Sequence, residues 1–457
     1  MATKRTLITK FTNGYLLQNG QLVQGDLWVS SGSGCIISPQ SAFYSAHLTP
    51  DQIVDLEGRI LAPGFLDVQL NGGHDFDFSV PDPEFATKLA ETNRKLIQSG
   101  VTSYLPTVTS QKEEVYHAVL PHLGPSGQDR DPSQGSESLG AHVEGPFLSP
   151  VRNGIHNPSV LQSAESMSDL ERCYGASNFQ SIREITAAPE RGNMISLIPE
   201  ITSRGIIFSI GHSDATFEQA QAAIAAGATM VTHMFNAMRP FGHRDPGIFG
   251  LLGQTPPPSP ILTPKPSRPA SASSSPQGSP RSSKHSTPLS SLSISTTISD
   301  LDSERAHRQP FFGLIADSIH LSAQALKIAY AAHPAGAILV TDAMKLAGCP
   351  DGIYDWTNGA RIVKKGSVLR LEDNGRIAGS AVTLIECVNN FKRFTGCGTA
   401  KALECVTKTP ATMLGEDVES RKGRLDDGMD ADLVVLDGGL DGELTVNQVW
   451  KFGVRVV

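Results

Sequence analysis

The sequence predicts an α/β protein: a (β/α)8 TIM-like barrel with a small flanking β-sandwich domain built from the N- and C-terminal segments. Three observations predict it. Eight short apolar runs (GFLDVQL, VTSYLPTV, LGAHVEG, MISLIPE, IIFSIGHS, TMVTHMFN, FFGLIADS and AILVTDA) alternate with helical windows. Alternation of this length argues for a parallel sheet, and eight repeats argue for its closure. Polar residues stand where the runs stop, namely Glu144, His212, His233, Asn236, His320 and Asp342. In a barrel of parallel strands these carboxyl ends converge on one open face, which is where such enzymes do chemistry. Finally, both ends of the chain are rich in strand signals.

The elements follow in order. Residues 1–60 read as the N-terminal part of the sandwich, because TLITKFTNGYLLQNGQLVQGDLWVSSG alternates apolar and polar residues between glycine turns. Residues 61–410 carry the barrel, with helical windows at PEFATKLAETNRKLIQSG, TFEQAQAAIAAG, SAQALKIAYAAHP and SAVTLIECVNNFKRFTG. Several of these close on glycine, as helix C-termini prefer, and Thr216 is placed to cap the second. Residues 411–457 return to β character and complete the flanking domain.

Two stretches interrupt the pattern. Pro125 to Ser138 is polar and reads as a surface loop. Residues 254–309 are more than half Ser, Thr or Pro, too few apolar groups to offset ordering entropy, and are expected to be disordered. This insertion falls between the sixth and seventh strands and is assigned to the active-site side. Its Ser-Pro and Thr-Pro pairs suit proline-directed phosphorylation, but an inert insertion is the favoured reading, since loop closure costs grow slowly with length.

The totals narrow the function. A net charge of −8 over 457 residues, with no basic stripe interleaved with aromatics, argues against nucleic-acid binding. No apolar run reaches membrane-spanning length, and the first residues carry no signal-peptide pattern. The six cysteines include no CxxC pair, so free thiols in a reducing, cytoplasmic compartment are expected.

Glu144, His212 and His233 are the expected metal ligands. Three protein ligands leave a position for water, as a catalytic site for one divalent ion requires. A Glu/His/His set fits zinc, and iron, cobalt or manganese are compatible. Asp342, at the end of the last strand, is the expected acid/base, able to take a proton from water and give it to a leaving nitrogen. Asp317, at another strand end, competes for that role and is otherwise a substrate contact. His142 shares the face of Glu144 and is expected to pack beneath it. His156, in RNGIHNPS, can donate to a carbonyl oxygen as it becomes an oxyanion. Arg244, with His243 beside it, offers a cation to an anionic substrate. Gly379 opens a helical window, where its backbone N–H can face a ligand or the residue can simply permit a turn.

Taken together, PGFLDVQLNG, HVEGPF, GIHNP, GHSDAT, THMFNAM, HRDPG, IADSIH, VTDAM and IAGSAVT resemble the N-acetylglucosamine-6-phosphate deacetylase family of the amidohydrolase superfamily. The resemblance covers the barrel and both β ends and excludes the Ser/Pro-rich insertion. It implies release of acetate from N-acetylglucosamine 6-phosphate, a small amino-sugar phosphate, in amino-sugar catabolism. It implies Glu144, His212 and His233 as ligands and Asp342 and His156 as catalytic residues. It points to Ile155, Asn236, Ala237, Arg244, His320, Ile377, Ala378 and Gly379 as substrate contacts. It also implies a homodimer with sites near the interface, where Arg244 can serve a neighbouring subunit. Many amidohydrolases place a His-x-His pair after the first strand. Here Gln69-Leu70-Asn71 stands instead, and IPE stands where a bridging lysine would end the fourth strand, so one metal ion is expected rather than two. The rival readings are another amidohydrolase acting on a cyclic or N-acyl amide, and an inactive scaffold with a phosphorylatable arm.

Overall fold

The computed structural model describes residues 6–40, 43–44, 47–254, 308–356 and 360–457. Eight parallel strands form the barrel: β1 (Phe65–Leu70), β2 (Val101–Val108), β3 (Ala141–Glu144), β4 (Ile182–Ala187), β5 (Ile207–Ile210), β6 (Met230–Val231), β7 (Phe311–Ile315) and β8 (Ala337–Val340). Each pairs with its sequence neighbour. The circle closes between β8 and β1 through a parallel bridge, Leu70 to Ala343, and the Asp342 N–H donating to the Gln69 carbonyl at 2.9 Å. Seven of the expected strands lie where the sequence put them. The eighth does not.

MISLIPE is the start of a helix, Met194–Ser203, and the fourth strand is IREITA, Ile182–Ala187. The helix buries Met194, Ile198 and Ile201, spaced four and three apart, which is helical periodicity. The true strand looked polar because Glu184 and Thr186 are buried inside the barrel. There Thr186 Oγ1 meets Thr232 Oγ1 at 2.6 Å and His142 Nε2 at 2.7 Å. This polar layer lies under Glu144 and fixes His142, as the sequence led us to expect. The fourth strand therefore ends at Ala187 rather than at IPE, still without a lysine.

The two ends of the chain share one eight-stranded sheet, with Leu433–Asp437 antiparallel to Ile60–Pro63. Phe11 and Trp450, three strands apart in that sheet, meet edge-to-face at 4.9 Å. The sheet thus curls over itself around Phe11, Leu27, Val29, Leu61, Val435 and Trp450. The stretch read as a surface loop, Pro125 to Ser138, is exposed or half-buried through Gln134, but its last residues are buried and tie this sheet to the barrel. Arg130 Nη1 reaches Asp430 at 2.7 Å, and Glu137 is buried.

Glu137 belongs to a closed ionic cluster. Lys451 Nζ lies 2.8 Å from Glu137 and 2.7 Å from Asp432, while Lys422 Nζ lies 2.8 Å from Asp432 and 2.9 Å from Asp430 and also contacts Glu137. Removing one partner of such a buried set strands the opposite charges, so Lys422→Ala is expected to cost ~3–5 kcal/mol in chemical denaturation. Burial pushes the Asp432 and Glu137 carboxyls up, but the two lysines outweigh it and hold both below the ordinary carboxylate range. Groups depressed in this way contribute stability that is complete above about pH 4 and is lost as pH falls below it. Lys422 is held above the usual lysine range by Asp432, Glu137 and Asp430 against burial, so its share erodes only in strong alkali. Midpoints measured at pH 7 and pH 3 check the acid arm. Equal wild-type stability at the two would contradict it.

Between β8 and its helix, Leu384–Thr395, a four-stranded antiparallel sheet (Gly352–Asp355, Arg361–Lys365, Val368–Leu371, Ile377–Ser380) rises over the carboxyl rim. Gly379 therefore sits on a strand, and the helix starts after Thr383, whose hydroxyl accepts from the Glu386 N–H. Thr216 caps Phe217–Ala226 as expected.

The expected disordered insertion lies outside the described residues apart from Gln254, Arg308 and Gln309. Its described flanks correct its placement. Gln309 Nε2 donates to the Leu252 carbonyl at 2.6 Å, and Gln309 stands just before Phe311, which opens β7 opposite Met230 at the start of β6. Both ends thus leave from the amino-terminal rim, opposite the face where Glu144 and Asp342 lie.

Candidate active site

Glu144 closes β3, while His212, His233 and Asp342 each lie two residues past β5, β6 and β8. These last three have φ of 47°, 27° and 45°. Left-handed backbone at a non-glycine residue is uncommon and collects at functional sites. Here it turns each side chain inward over the barrel mouth.

Glu144 Oε1 lies 3.0 Å from His212 Nε2 and 3.0 Å from His233 Nε2, and the two ring nitrogens are 3.0 Å apart. All three side chains are buried. His212 Nδ1 lies 2.9 Å from the Arg152 carbonyl, which can only accept, so the proton sits on Nδ1 and Nε2 presents a lone pair. A carboxylate oxygen and imidazole lone pairs at this spacing are the donor set of a divalent-cation site. Burial pushes the Glu144 carboxyl up, but His212 and His233 hold it well below its usual range, so it is an anion. Glu137, Asp430 and Asp432 also cluster, but Lys422 and Lys451 already fill that space.

The amides of Gln69 and Asn71 serve as donors. Gln69 Nε2 donates to Glu144 Oε1 at 3.3 Å and Asn71 Nδ2 donates to Asp342 Oδ1 at 2.7 Å. Sequence reasoning treated this pair only as missing ligands, and nothing linear links either amide to its carboxylate. Burial, then the Glu144 charge, raises the Asp342 carboxyl, opposed by His233 and Asn71.

His156 Nδ1 accepts from the Ser110 backbone N–H at 3.2 Å, with the Ser110 hydroxyl 2.8 Å away. A backbone N–H can only donate, so the ring proton is on Nε2, which lies 4.0 Å from Glu144 Oε1. Burial, then His212, pushes His156 down to about 3. It is a neutral N–H donor at neutral pH. Ser110 was not singled out from the sequence.

Asp317 lies beneath the rim with both oxygens engaged: Oδ2 is 2.7 Å from His320 Nδ1, and Oδ1 accepts from the N–H groups of Ile319 and His320 at 2.8 Å. Burial lowers His320 but the Asp317 charge outweighs it, so the imidazole is raised toward its cationic form. Asn236 and Ala237 follow His233, Ala237 with φ of 48°. Arg244 is exposed and makes no ion pair or hydrogen bond among the described residues, whereas its neighbour Arg239 is held by Asp214 and Asp245. Ile155, His156, Ile377 and Ala378 line a cavity of about 900 Å³. Gly379, at φ 120°, packs against Met344, and a Cβ there would stand 2.6 Å from Met344 Cγ.

A closed parallel barrel whose carboxyl ends gather a cation-competent Glu/His/His set defines the class: a hydrolase of the amidohydrolase superfamily. Relatives narrow it. An N-acetylglucosamine-6-phosphate deacetylase from Danio rerio is 37% identical over 452 residues, 98% of this chain and 96% of its own length. The Homo sapiens enzyme of the same name is 36% identical, covering 96% and 94%. The solved Thermotoga maritima enzyme of that name is 25% identical, with a TM-score of 0.70 over 98% of this chain and 99% of its own. No family model matches the chain. The chain belongs to the N-acetylglucosamine-6-phosphate deacetylase family.

Proposed function

We propose that this chain hydrolyses N-acetylglucosamine 6-phosphate to glucosamine 6-phosphate and acetate, in amino-sugar catabolism. The observation that carries the reading is the Glu144/His212/His233 cluster, with Asp342 and the His156 N–H beside it, in a chain of this family.

A divalent ion held by Glu144, His212 and His233 supplies Lewis acidity, lowering the pKa of water and polarising the amide carbonyl. Zinc is the ion proposed, with iron, cobalt and manganese as the alternatives. The remaining steps belong to side chains. Arg244, Asn236 and His320 take the phosphate end, and Asp317 positions His320 by accepting from its Nδ1. Asn71 occupies Oδ1 of Asp342, leaving Oδ2 to accept the proton of the attacking water. His156 Nε2–H donates to the carbonyl oxygen as it gains charge. Asp342 then returns the proton to the sugar nitrogen, the C–N bond breaks, and acetate leaves. Ile155, Ala237, Ile377, Ala378 and Gly379 form the walls against which sugar and acyl group rest.

The working unit proposed is a cytoplasmic homodimer in which exposed Arg244 is free to close on its own or a partner's phosphate. Among the described residues no helix is long and apolar enough to cross a membrane. Acetate release from N-acetylglucosamine 6-phosphate, compared with the unphosphorylated sugar, tests the reading. Turnover of the phosphorylated sugar at least ~100-fold more efficient is expected, since charged hydrogen bonds to phosphate contribute roughly 1.5–3 kcal/mol each. Equal turnover of the two would contradict the phosphate site.

Replacing residues 255–307 by a short Gly/Ser linker is expected to leave acetate release unchanged, because Leu252 and Gln309 already touch at the far rim. A folded deletion variant with lost turnover would instead give the insertion a part in the site.

A further inference from the structure

The substrate contacts divide between two halves of the barrel mouth. Asn236, Ala237 and Arg244 follow β6, and His320 follows β7. The 900 Å³ cavity is built from the other half: residues after β1 (Asp77 to Pro81), after β2 (Thr109 to Val115), in the loop beyond β3 (Asn153 to Val160) and after β8 (Met344 to Ala378). The triad lies between them. His156 belongs to both, lining the cavity while its ring centroid is 4.4 Å from that of His212.

Pyranose geometry then fixes a direction. The carbon bearing the acylated nitrogen and the carbon bearing the phosphorylated arm stand across the ring from one another. With the phosphate on the β6–β7 half and the amide over the triad, the acyl group projects into the cavity half. An acetyl methyl fills about the 30 Å³ of one water molecule. The cavity is many times larger; beside polar residues such as Asp77, Gln111, Asn157 and Arg376, it is lined by Val80, Val115, Val160, Trp356, Leu371 and Ile377, the apolar side on which a longer chain could lie.

From this we infer that the chain is a deacylase of N-acylated glucosamine 6-phosphates with acyl chains longer than acetyl, the chain lying along this apolar wall. The inference rests on the proposed deacetylation and extends its substrate class. Chemically nothing is added. Water contributes its oxygen to the acyl carbon, the C–N bond breaks, the nitrogen takes a proton, and the longer carboxylic acid leaves in place of acetate.

The test compares the N-acetyl, N-butyryl and N-hexanoyl derivatives of glucosamine 6-phosphate on the full-length, metal-loaded enzyme, reading amine release. The longer chains are expected to retain kcat/KM within about tenfold of the acetyl parent, with KM falling up to about fourfold for each methylene buried. Acetyl cleavage with a larger loss for both longer chains would overturn the inference and leave the deacetylase reading standing. Cleavage of none of the three would overturn that reading and this one with it. Val80 is 39% exposed, so added bulk there can be accommodated. Val80→Trp is expected to lower the hexanoyl-to-acetyl ratio of kcat/KM by about tenfold. An unchanged ratio would show that the chain does not run along this wall.

Discussion

Asp342→Asn is expected to lower kcat by on the order of 10²–10⁴, the usual contribution of general acid–base catalysis, with little change in KM or bound metal. The substitution keeps the side-chain shape, and asparagine still offers an oxygen to the Asn71 amide that now reaches Oδ1 at 2.7 Å. On the proposed mechanism, what disappears is the acceptor for the water proton and the donor for the departing nitrogen. Burial and the nearby Glu144 charge raise the wild-type carboxyl, which favours returning that proton once it has been taken. Steady-state kinetics beside metal analysis check this. A variant with near-native turnover and full metal would remove Asp342 from the chemistry.

Glu144→Gln is expected to do more damage by a different route. The substitution removes the anionic member of the cluster and puts an amide where Oε1 now stands 3.0 Å from each of two imidazole nitrogens. An amide is a poor ligand for a zinc-like ion, and the loss of charge also removes the anion that offsets the cation in this buried site. Bound metal is expected to fall well below one ion per chain, with turnover lost in parallel. Unlike Asp342→Asn, the defect is in occupancy, so high added metal is expected to restore part of the activity. Full occupancy in Glu144→Gln would contradict its role as a ligand.

Much of this arrangement was legible in the sequence because barrel chemistry sits at strand ends. A polar residue just past an apolar run is a linear signal, and Glu144, His212, His233 and Asp342 all carry it. What was hidden has physical causes. IREITA did not read as a strand because Glu184 and Thr186 face a buried polar layer, so its inward face is not apolar. MISLIPE, an apolar stretch of a few residues, fits a strand or a helix equally well until its partners are known. The sheet over the rim is made of strands such as RIVKK, with charged residues flanking a short apolar core, and carries no strong linear strand signal. Gln69 and Asn71 read in the sequence only as poor metal ligands, because their donation to Glu144 and Asp342 spans 75 and 271 residues of chain. The Ser110 N–H that fixes the tautomer of His156 lies 46 residues away. Such contacts exist only once the barrel has closed.

The exit of the insertion on the amino-terminal rim separates two questions that the sequence had joined. Turnover belongs to the carboxyl face. Any effect of modification on the Ser/Pro-rich stretch is expected to act through stability, association or localisation rather than through turnover.

The most direct measurement of the central claim is a crystal structure of the metal-loaded protein with anomalous data collected at the metal edge, together with metal stoichiometry in solution. The account predicts one ion per chain, bonded to Glu144 Oε1, His212 Nε2 and His233 Nε2 at roughly 2.0–2.2 Å. An ion bound elsewhere, or a catalytically active chain with no ion between these three atoms, would contradict it.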